Sequence, residues 1–322
     1  MSHYFGIDIG GTTIKIGLVS EGGEIGVRRE LPTRKGADPT PVLQDIRMTL
    51  EEILAEEGLE RADISGIGMA VPGPVTDDGI LHGTVNIGWG DVALGQLAQK
   101  VIGISPVCIG NDARVAALGE AVYGAGRGAN SMLMVTLGTG VGGGIIQNGQ
   151  ILMGESGVAG EIGHMTIDPY ETESCGCGKK GCLEQYASAT GVVQRAKRLL
   201  QEGDEASSLR HLPRMSAEDV WAAARGGDVL AMQVVDFAAE RLGIALANAG
   251  YIVDTERIVI GGGMSGAGDF LLNKICPAYQ KQVFPHCRNK EIVLAALGND
   301  AGVLGAAALV QKGNGKHSEK VE

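Results

Sequence analysis

Short apolar runs alternate with amphipathic segments along most of this chain. Residues 4–30 predict three short strands joined by glycine turns, because apolar side chains recur at strand spacing there. Pro41 is expected to open a helix that Gly58 ends, since the apolar residues between them recur at helical spacing. The same reasoning predicts further strands at 64–71, 105–110, 132–136, 257–260 and 291–295, and helices at 113–123, 191–201, 217–225, 229–250, 269–282 and from about 300 onward. Strands that alternate with helices predict α/β layers.

Two glycine-rich segments follow apolar strands and resemble each other. The first is Asp8-Ile-Gly-Gly-Thr-Thr and the second is Thr136-Leu-Gly-Thr-Gly-Val-Gly-Gly-Gly, and an apolar strand and a hairpin turn follow each. Glycine lets the backbone approach an anion closely, so that N–H and hydroxyl groups can donate to it. The pair therefore predicts a duplicated fold that binds the phosphates of a nucleotide, through Gly10, Gly11, Thr12, Gly138, Thr139 and Gly140. For either segment alone, a simple hairpin turn remains an alternative.

Two further features fit a nucleotide. Asp8 ends the first predicted strand, where a carboxylate can hold Mg²⁺ as the ion bridges phosphates. Gly261, Gly262 and Gly263 lie between a predicted strand and a predicted helix, where an adenine and a ribose can rest on bare backbone.

Composition narrows the class of partner. The chain has 322 residues, a mass of 33.3 kDa and a formal net charge of −11. This charge disfavours nucleic acid and anionic membranes as partners. The length allows two domains: we expect a small N-terminal lobe of residues 1–123 plus 300–322, and a large lobe of residues 124–299 with an insert at about 153–190. We expect no signal peptide and no membrane span, hence a cytoplasmic protein with reduced thiols.

A cysteine cluster lies within the predicted insert. Cys175, Cys177 and Cys182 fall within eight residues, and His164 lies upstream of them. Three thiolates and an imidazole predict a closed, structural zinc site. Three unrelated thiols, or one disulfide, are the alternatives. Folding around zinc would bring together Glu161 and Glu184, whose carboxylates can accept hydrogen bonds from neighbouring hydroxyls of a sugar; two solvated carboxylates are the simpler interpretation.

Asn111 and Asp112 lie where a predicted strand gives way to a helix. Ligands of open α/β sheets bind at this end of strands, so Asp112 is a candidate base for a hydroxyl that attacks phosphorus. Asn111 would bind another hydroxyl. Helix capping alone also explains this pair. Asn86 and Trp89 supply an amide and an aromatic ring in a loop suited to a sugar cleft.

These residues together resemble the ROK family of sugar kinases and repressors. The likeness runs from Asp8-Ile-Gly-Gly-Thr to Leu297-Gly-Asn-Asp-Ala-Gly-Val. Its most specific parts are Leu137-Gly-Thr-Gly-Val-Gly-Gly-Gly, Gly160-Glu-Ile-Gly-His and Cys175-Gly-Cys-Gly-Lys-Lys-Gly-Cys-Leu-Glu. Within the family, Val85-Asn-Ile-Gly-Trp and Leu183-Glu-Gln-Tyr-Ala-Ser-Ala-Thr-Gly make the chain look most like the bacterial ATP-dependent glucokinases.

The resemblance implies an actin-like (ribonuclease H-like) ATPase fold of two lobes with an active-site cleft between them. It implies that Asp112 activates the 6-hydroxyl of glucose, and that the first and second glycine segments bind ATP with Mg²⁺. It also implies that His164 serves both zinc and sugar. The implied glucose contacts are Asn111, Asp112, Glu161, His164 and Glu184.

Several alternatives stay open from the sequence. The sugar can be another hexose, such as N-acetylmannosamine, fructose or allose, and the donor can be ATP or polyphosphate. A non-catalytic sugar-sensing ROK protein is the rival of another class. The family's repressors carry an N-terminal DNA-binding segment, and we expect none here because a strand is predicted from Tyr4. The family likeness also implies a homodimer.

Overall fold

A computed structural model describes residues 2–84 and 86–318 of the chain. The chain forms two compact units. The first comprises residues 1–128, 144–159 and 296–322, and the second comprises residues 129–143 and 160–295. The predicted lobe boundaries stay a prediction.

The elements follow one another as strands and helices in alternation. The strands are β1 (His3–Ile9), β2 (Thr13–Ser20), β3 (Ile25–Pro32), β4 (Ile64–Val71), β5 (Leu81–His82), β6 (Asp91–Val92), β7 (Val107–Asn111), β8 (Ser131–Leu137), β9 (Val141–Gln147), β10 (Gln150–Ile151), β11 (Arg257–Gly261) and β12 (Glu291–Leu294). The helices are α1 (Thr40–Glu57), α2 (Leu94–Ile102), α3 (Asp112–Tyr123), α4 (Glu184–Ala187), α5 (Ala189–Glu202), α6 (Ala217–Arg225), α7 (Val229–Val253), α8 (Asp269–Gln282) and α9 (Ala301–Ser318).

The two five-stranded sheets have the same topology. The first has the order β3-β2-β1-β4-β7 and the second the order β10-β9-β8-β11-β12. In each, an antiparallel meander is extended by parallel strands, as the β1–β4, β4–β7, β8–β11 and β11–β12 pairs show. The duplicated fold predicted from the two glycine segments is therefore confirmed.

Helices cover both faces of the first sheet. Apolar side chains of α1 and α2 pack on one face in a core that includes Phe5, Ile46 and Leu94. On the other face α9 lies so close that a Cβ atom at Gly6 or Gly68 would overlap the α9 backbone. Glycine at these strand positions therefore lets the last helix lie directly on the sheet.

Most predicted elements are confirmed, with shifts of a few residues at their ends. Helix α1 ends at Gly58, whose positive φ of 66° is the left-handed conformation that glycine favours. The sequence reasoning missed α2, α4 and the short strands β5, β6 and β10, because such short segments carry little periodicity. Within residues 2–84 and 86–318, none of the helices is both long enough and apolar enough for a bilayer span.

Candidate functional site

Asp8 lies next to the end of β1, on the edge of the sheet where the parallel strands end. In the parallel pairing of β1 with β4, Asp8 lies opposite Ala70. Ala70 in turn lies opposite Gly110 of β7. Burial, and to a smaller extent the Asp112 carboxylate, raise the pKa of the Asp8 carboxyl to about 6 against the opposing effect of Lys15. Gly302, near the start of α9, lies against this carboxyl group, since a Cβ atom there would overlap it. A half-buried carboxyl group with a raised pKa is well suited to a divalent cation, which favours the charged form.

The first glycine segment is a tight turn held by its own backbone. The N–H of Gly10 donates to the carbonyl of Thr13 at 3.0 Å, and the hydroxyl of Thr33 donates to the carbonyl of Gly10 at 2.7 Å. Thr12 is exposed at the tip. A Cβ atom on Gly11 would lie 3.4 Å from the Cβ of Asn86, so the exposed Asn86 lies beside this turn.

Asn111 caps helix α3, whereas Asp112, the next residue, has an exposed carboxylate. Asn111 is buried and caps α3, because its Oδ1 accepts from the N–H of Arg114 at 3.3 Å. Its Nδ2 donates to the carbonyl of Gly73 at 3.1 Å and to Oδ1 of Asp112 at 3.0 Å. The same Oδ1 accepts from the N–H of Ala113 at 2.8 Å. The carboxylate of Asp112 is thus exposed but held in one orientation, while its neighbour serves as the cap.

Asp8 and Asp112 stand at the same edge of the first sheet. Two strand spacings separate β1 from β7, a distance of about 10 Å, and the Asp112 charge contributes to the raised pKa of Asp8. The first unit therefore combines the exposed, oriented carboxylate of Asp112 with the half-buried carboxyl group of Asp8 beside a glycine turn.

The second glycine segment is tied to the predicted sugar-binding carboxylate. The carbonyl of Gly138 accepts from the N–H of Ala189 at 2.8 Å, and the Thr139 carbonyl accepts from the hydroxyl of Thr190 at 2.8 Å. Oε2 of Glu184 accepts from the N–H of Val141 at 3.0 Å. A Cβ atom on Gly140 would overlap that same oxygen, so Gly140 leaves the space that the Glu184 carboxylate occupies.

The third glycine segment lies beside the second. Strands β8 and β11 are parallel, with Gly261 opposite Thr136. Gly262 has φ of +82°, and a Cβ atom there would lie 2.5–2.7 Å from backbone atoms of Leu137. In contrast, a Cβ atom on Gly263 would meet nothing within 4 Å. The second unit thus places two glycine turns at adjacent strand ends, as a surface of bare backbone.

The cysteine cluster has the dimensions of a tetrahedral metal site. One ligand atom from each of His164, Cys175, Cys177 and Cys182 lies within 4.8 Å of all the others. The sulfurs of Cys177 and Cys182 are 3.7 Å apart, and the Cys175 sulfur is 3.9 Å from Nδ1 of His164. Zinc with Zn–S bonds of about 2.3 Å separates two tetrahedral sulfur ligands by about 3.8 Å, whereas a disulfide needs about 2.05 Å. These distances fit a metal and exclude a disulfide between Cys177 and Cys182.

Comparisons with known proteins agree with this geometry. The family model described as "ROK family" matches residues 4–313. The chain belongs to the ROK family. A glucokinase of Halalkalibacterium halodurans is 43% identical over 96% of this chain and 95% of its own length.

Solved ROK structures share the fold. A ROK hexokinase from Thermus thermophilus superposes with a TM-score of 0.84 at 30% identity, over 98% of this chain and 99% of that one. A ROK glucokinase from Streptomyces griseus, in complex with glucose and AMPPNP, superposes with a TM-score of 0.75 at 32% identity, over 96% of this chain and 99% of that one. The actin-like ATPase fold implied by the sequence is therefore confirmed.

In this ROK chain the predicted site residues form one group in each unit. The first unit brings together Asp8, the Gly10–Thr12 turn, Asn86, Asn111 and Asp112. The second brings together the Gly138–Gly140 and Gly261–Gly263 turns, and joins Glu184 to the cysteine cluster, since Oε1 of Glu184 lies 3.7 Å from the Cys175 sulfur. Glu161 is half-buried and precedes the helical turn that ends at His164. Trp89, in contrast, is only 2% exposed and belongs to the apolar core of the first unit.

Sequence reasoning missed several residues of this ROK site. Lys15 pairs with Asp8 across β1 and β2, and Gly302 makes room for the Asp8 carboxyl group. Gly302 has a signal in hindsight, because a glycine inside a helical pattern often marks a close approach. Thr33 and Lys15 have no recognisable sequence signal, because they lie in ordinary strand-like or loop sequence and their contacts depend on the fold.

Proposed function

We propose that this protein is an ATP-dependent kinase that phosphorylates glucose to glucose 6-phosphate, with Asp112 as the general base. Glucokinases that match nearly the whole chain support the reaction, as does the likeness to a ROK glucokinase bound to glucose and AMPPNP. The observation that carries the role of Asp112 is its exposed carboxylate, fixed through two hydrogen bonds at the carboxyl end of β7.

The chemical step follows from that position. The carboxylate of Asp112 accepts the proton of the sugar's 6-hydroxyl as that oxygen bonds to the γ-phosphorus of ATP. The bond from the γ-phosphorus to the bridging oxygen breaks, and ADP leaves. Asn111, Glu161, His164, Glu184 and Asn86 hold the sugar through its hydroxyl groups. Positioning and charge neutralisation account for most of the catalysis in such transfers.

The glycine turns bind the nucleotide. In the turns of Gly10 to Thr12 and Gly138 to Gly140, the N–H groups of Gly10 and Gly138 donate within the turns. The remaining N–H groups, of Gly11, Thr12, Thr139 and Gly140, donate to phosphate oxygens, and Gly261 to Gly263 support the adenosine. Asp8 would hold Mg²⁺, directly or through water. The ion would neutralise phosphate charge that otherwise opposes transfer.

The cysteine cluster supports the sugar site. We propose that His164, Cys175, Cys177 and Cys182 hold one structural zinc ion, since their spacing fits a closed tetrahedral site. Glu184 is only two residues beyond Cys182 and contacts Cys175. The metal would therefore fix Glu184 and His164 for the sugar. We further propose a cytoplasmic homodimer that acts in glycolysis.

The test replaces the base. Asp112→Asn keeps shape and size, so the folded protein should lose turnover by about 10³-fold or more, from lost proton acceptance and orientation. The assay crosses glucose, N-acetylmannosamine, fructose and allose with ATP and polyphosphate, and circular dichroism verifies folding. Near-normal turnover of Asp112→Asn would refute Asp112 as the base. Preference of the wild type for another sugar or for polyphosphate would refute the substrate assignment, and glucose binding without turnover would establish a sensor.

A further inference from the structure

Helix α3, which begins at the proposed base, carries a carboxylate that the mechanism above does not use. Glu120 is fully buried, with 0% exposure. Its Oε2 accepts from the N–H of Ala125 at 2.8 Å and from the N–H of Ala296 at 3.1 Å, and its Oε1 accepts from the N–H of Leu297 at 2.8 Å. A buried charge is costly, and three charge-assisted hydrogen bonds from the backbone offset that cost.

The bonded segments are those where the chain leaves and re-enters the first unit. The chain first leaves this unit after Gly128 and returns to it for the last time at Ala296. Glu120 therefore joins the outgoing segment, through Ala125, to the returning segment, through Ala296 and Leu297. Gly124 completes the turn, since a Cβ atom there would overlap the Glu120 carboxylate.

The other two chain crossings are also attached to α3. Residues 144–159 belong to the first unit. At the start of this stretch, a Cβ atom on Gly144 would lie 2.6 Å from the Cβ of Ala117, so the segment packs directly on the helix. Near its end, the buried guanidinium of Arg114 donates to the carbonyl of Gly157. One helix thus holds every segment through which the chain passes to the second unit.

We propose that Glu120 is a positioning residue for phosphoryl transfer: its carboxylate clamps the outgoing and returning segments to the helix whose first residue is Asp112. The inference rests on the proposed function, because it gives the clamp the task of keeping Asp112 aligned with the segments that lead to the second unit. Misalignment by a fraction of an ångström slows a transfer more than it weakens substrate binding.

Glu120→Gln is the direct test, because it removes the charge but keeps the shape. An amide has a single acceptor oxygen. That oxygen is expected at the place of Oε2, which has two donors, so the amide nitrogen then faces the N–H of Leu297. We expect amide exchange to rise most at Leu297 and least at Ala125. We expect kcat for glucose to fall about tenfold, with the KM for glucose within about twofold of the wild type.

Asp228→Asn is the matched control. Asp228 is also a multiply bonded carboxylate, which accepts from Ser207, Ser208 and Ala231 in the second unit, away from the clamp. The Asp228→Asn variant should have a lower melting temperature than the wild type and an unchanged kcat. If Glu120→Gln does not fold, Ala296→Pro removes one donor N–H at an exposed position. Ala296→Pro should raise amide exchange at Leu297 and lower kcat, each by less than is expected for Glu120→Gln.

Two results would overturn the clamp. One is raised exchange at Leu297 with the kcat of the wild type, which would leave Glu120 with a purely structural role. The other is unchanged exchange in a folded Glu120→Gln variant. Absence of glucose phosphorylation by the wild type in the same assay would instead refute the proposed function, so the two failures are distinguishable.

Discussion

At the scale of single residues, Asp8 shows how burial prepares a carboxyl group for a cation. Removal from water disfavours its charged form, and the negative charge of Asp112 adds to that effect, so the pKa of Asp8 rises to about 6. Lys15 offsets this only in part. Keeping Asp8 ionised at neutral pH therefore costs the folded state some of its stability.

This cost predicts a pH-dependent effect of Asp8→Asn, measured without added magnesium. The folded pKa of about 6 lies above the unfolded value of about 3.9, so the folded state binds the proton more tightly. The contribution of Asp8 to stability is therefore complete below about pH 4 and is lost as the pH rises through about 6. Since asparagine carries no charge, the variant should melt above the wild type near pH 7.5, by up to about 3 kcal/mol of stability, and near pH 4 the gain should vanish. A gain that is equal at both pH values would contradict the assignment.

At the scale of elements, the end of β11 depends on a glycine that has no substitute. Gly262 combines a positive φ with a backbone approach to Leu137 at the end of β8. The turn therefore fixes the two neighbouring strand ends that carry the second and third glycine segments. Gly263, one residue later, has open space around it.

Gly262→Ala is expected to lose about 2–4 kcal/mol of stability. Alanine disfavours the positive φ of this residue, and its methyl group would push the backbone away from Leu137. Gly263→Ala is the matched control for stability and should change it by less than about 1 kcal/mol. Thermal melting of both variants measures the difference. Equal melting temperatures would mean that the two strand ends are not held by this contact.

At the scale of the whole molecule, the proposed zinc ion links metal binding to folding. Metal bound only by the folded protein adds its binding energy to stability. The two five-stranded sheets share one topology, and the cysteine cluster is an addition to that repeated plan.

Cys177→Ser isolates the metal's contribution. Cys177 is exposed, so exchanging its sulfur for oxygen should change stability by less than about 0.5 kcal/mol unless the thiol binds a metal. We expect bound zinc to fall from one per chain to none, together with a loss of more than about 2 kcal/mol and of glucose turnover. Cys276→Ser, in α8 and outside the cluster, should retain the zinc. Elemental analysis and thermal melting check both, and a wild type that is active without zinc would contradict the proposal.

The amino-acid sequence was enough to predict the types and approximate bounds of most helices and strands, the two glycine turns and the grouping of His164 with the three cysteines. These features depend on residues close together in the chain, whose spacing is visible without a fold. The folded structure was needed to show that Asp8 is half-buried beside Gly302, that Trp89 is a core residue, and that Glu120 holds segments more than 170 residues apart. Such contacts join residues far apart in sequence, and burial changes the chemistry of a carboxyl group only after the chain has folded around it.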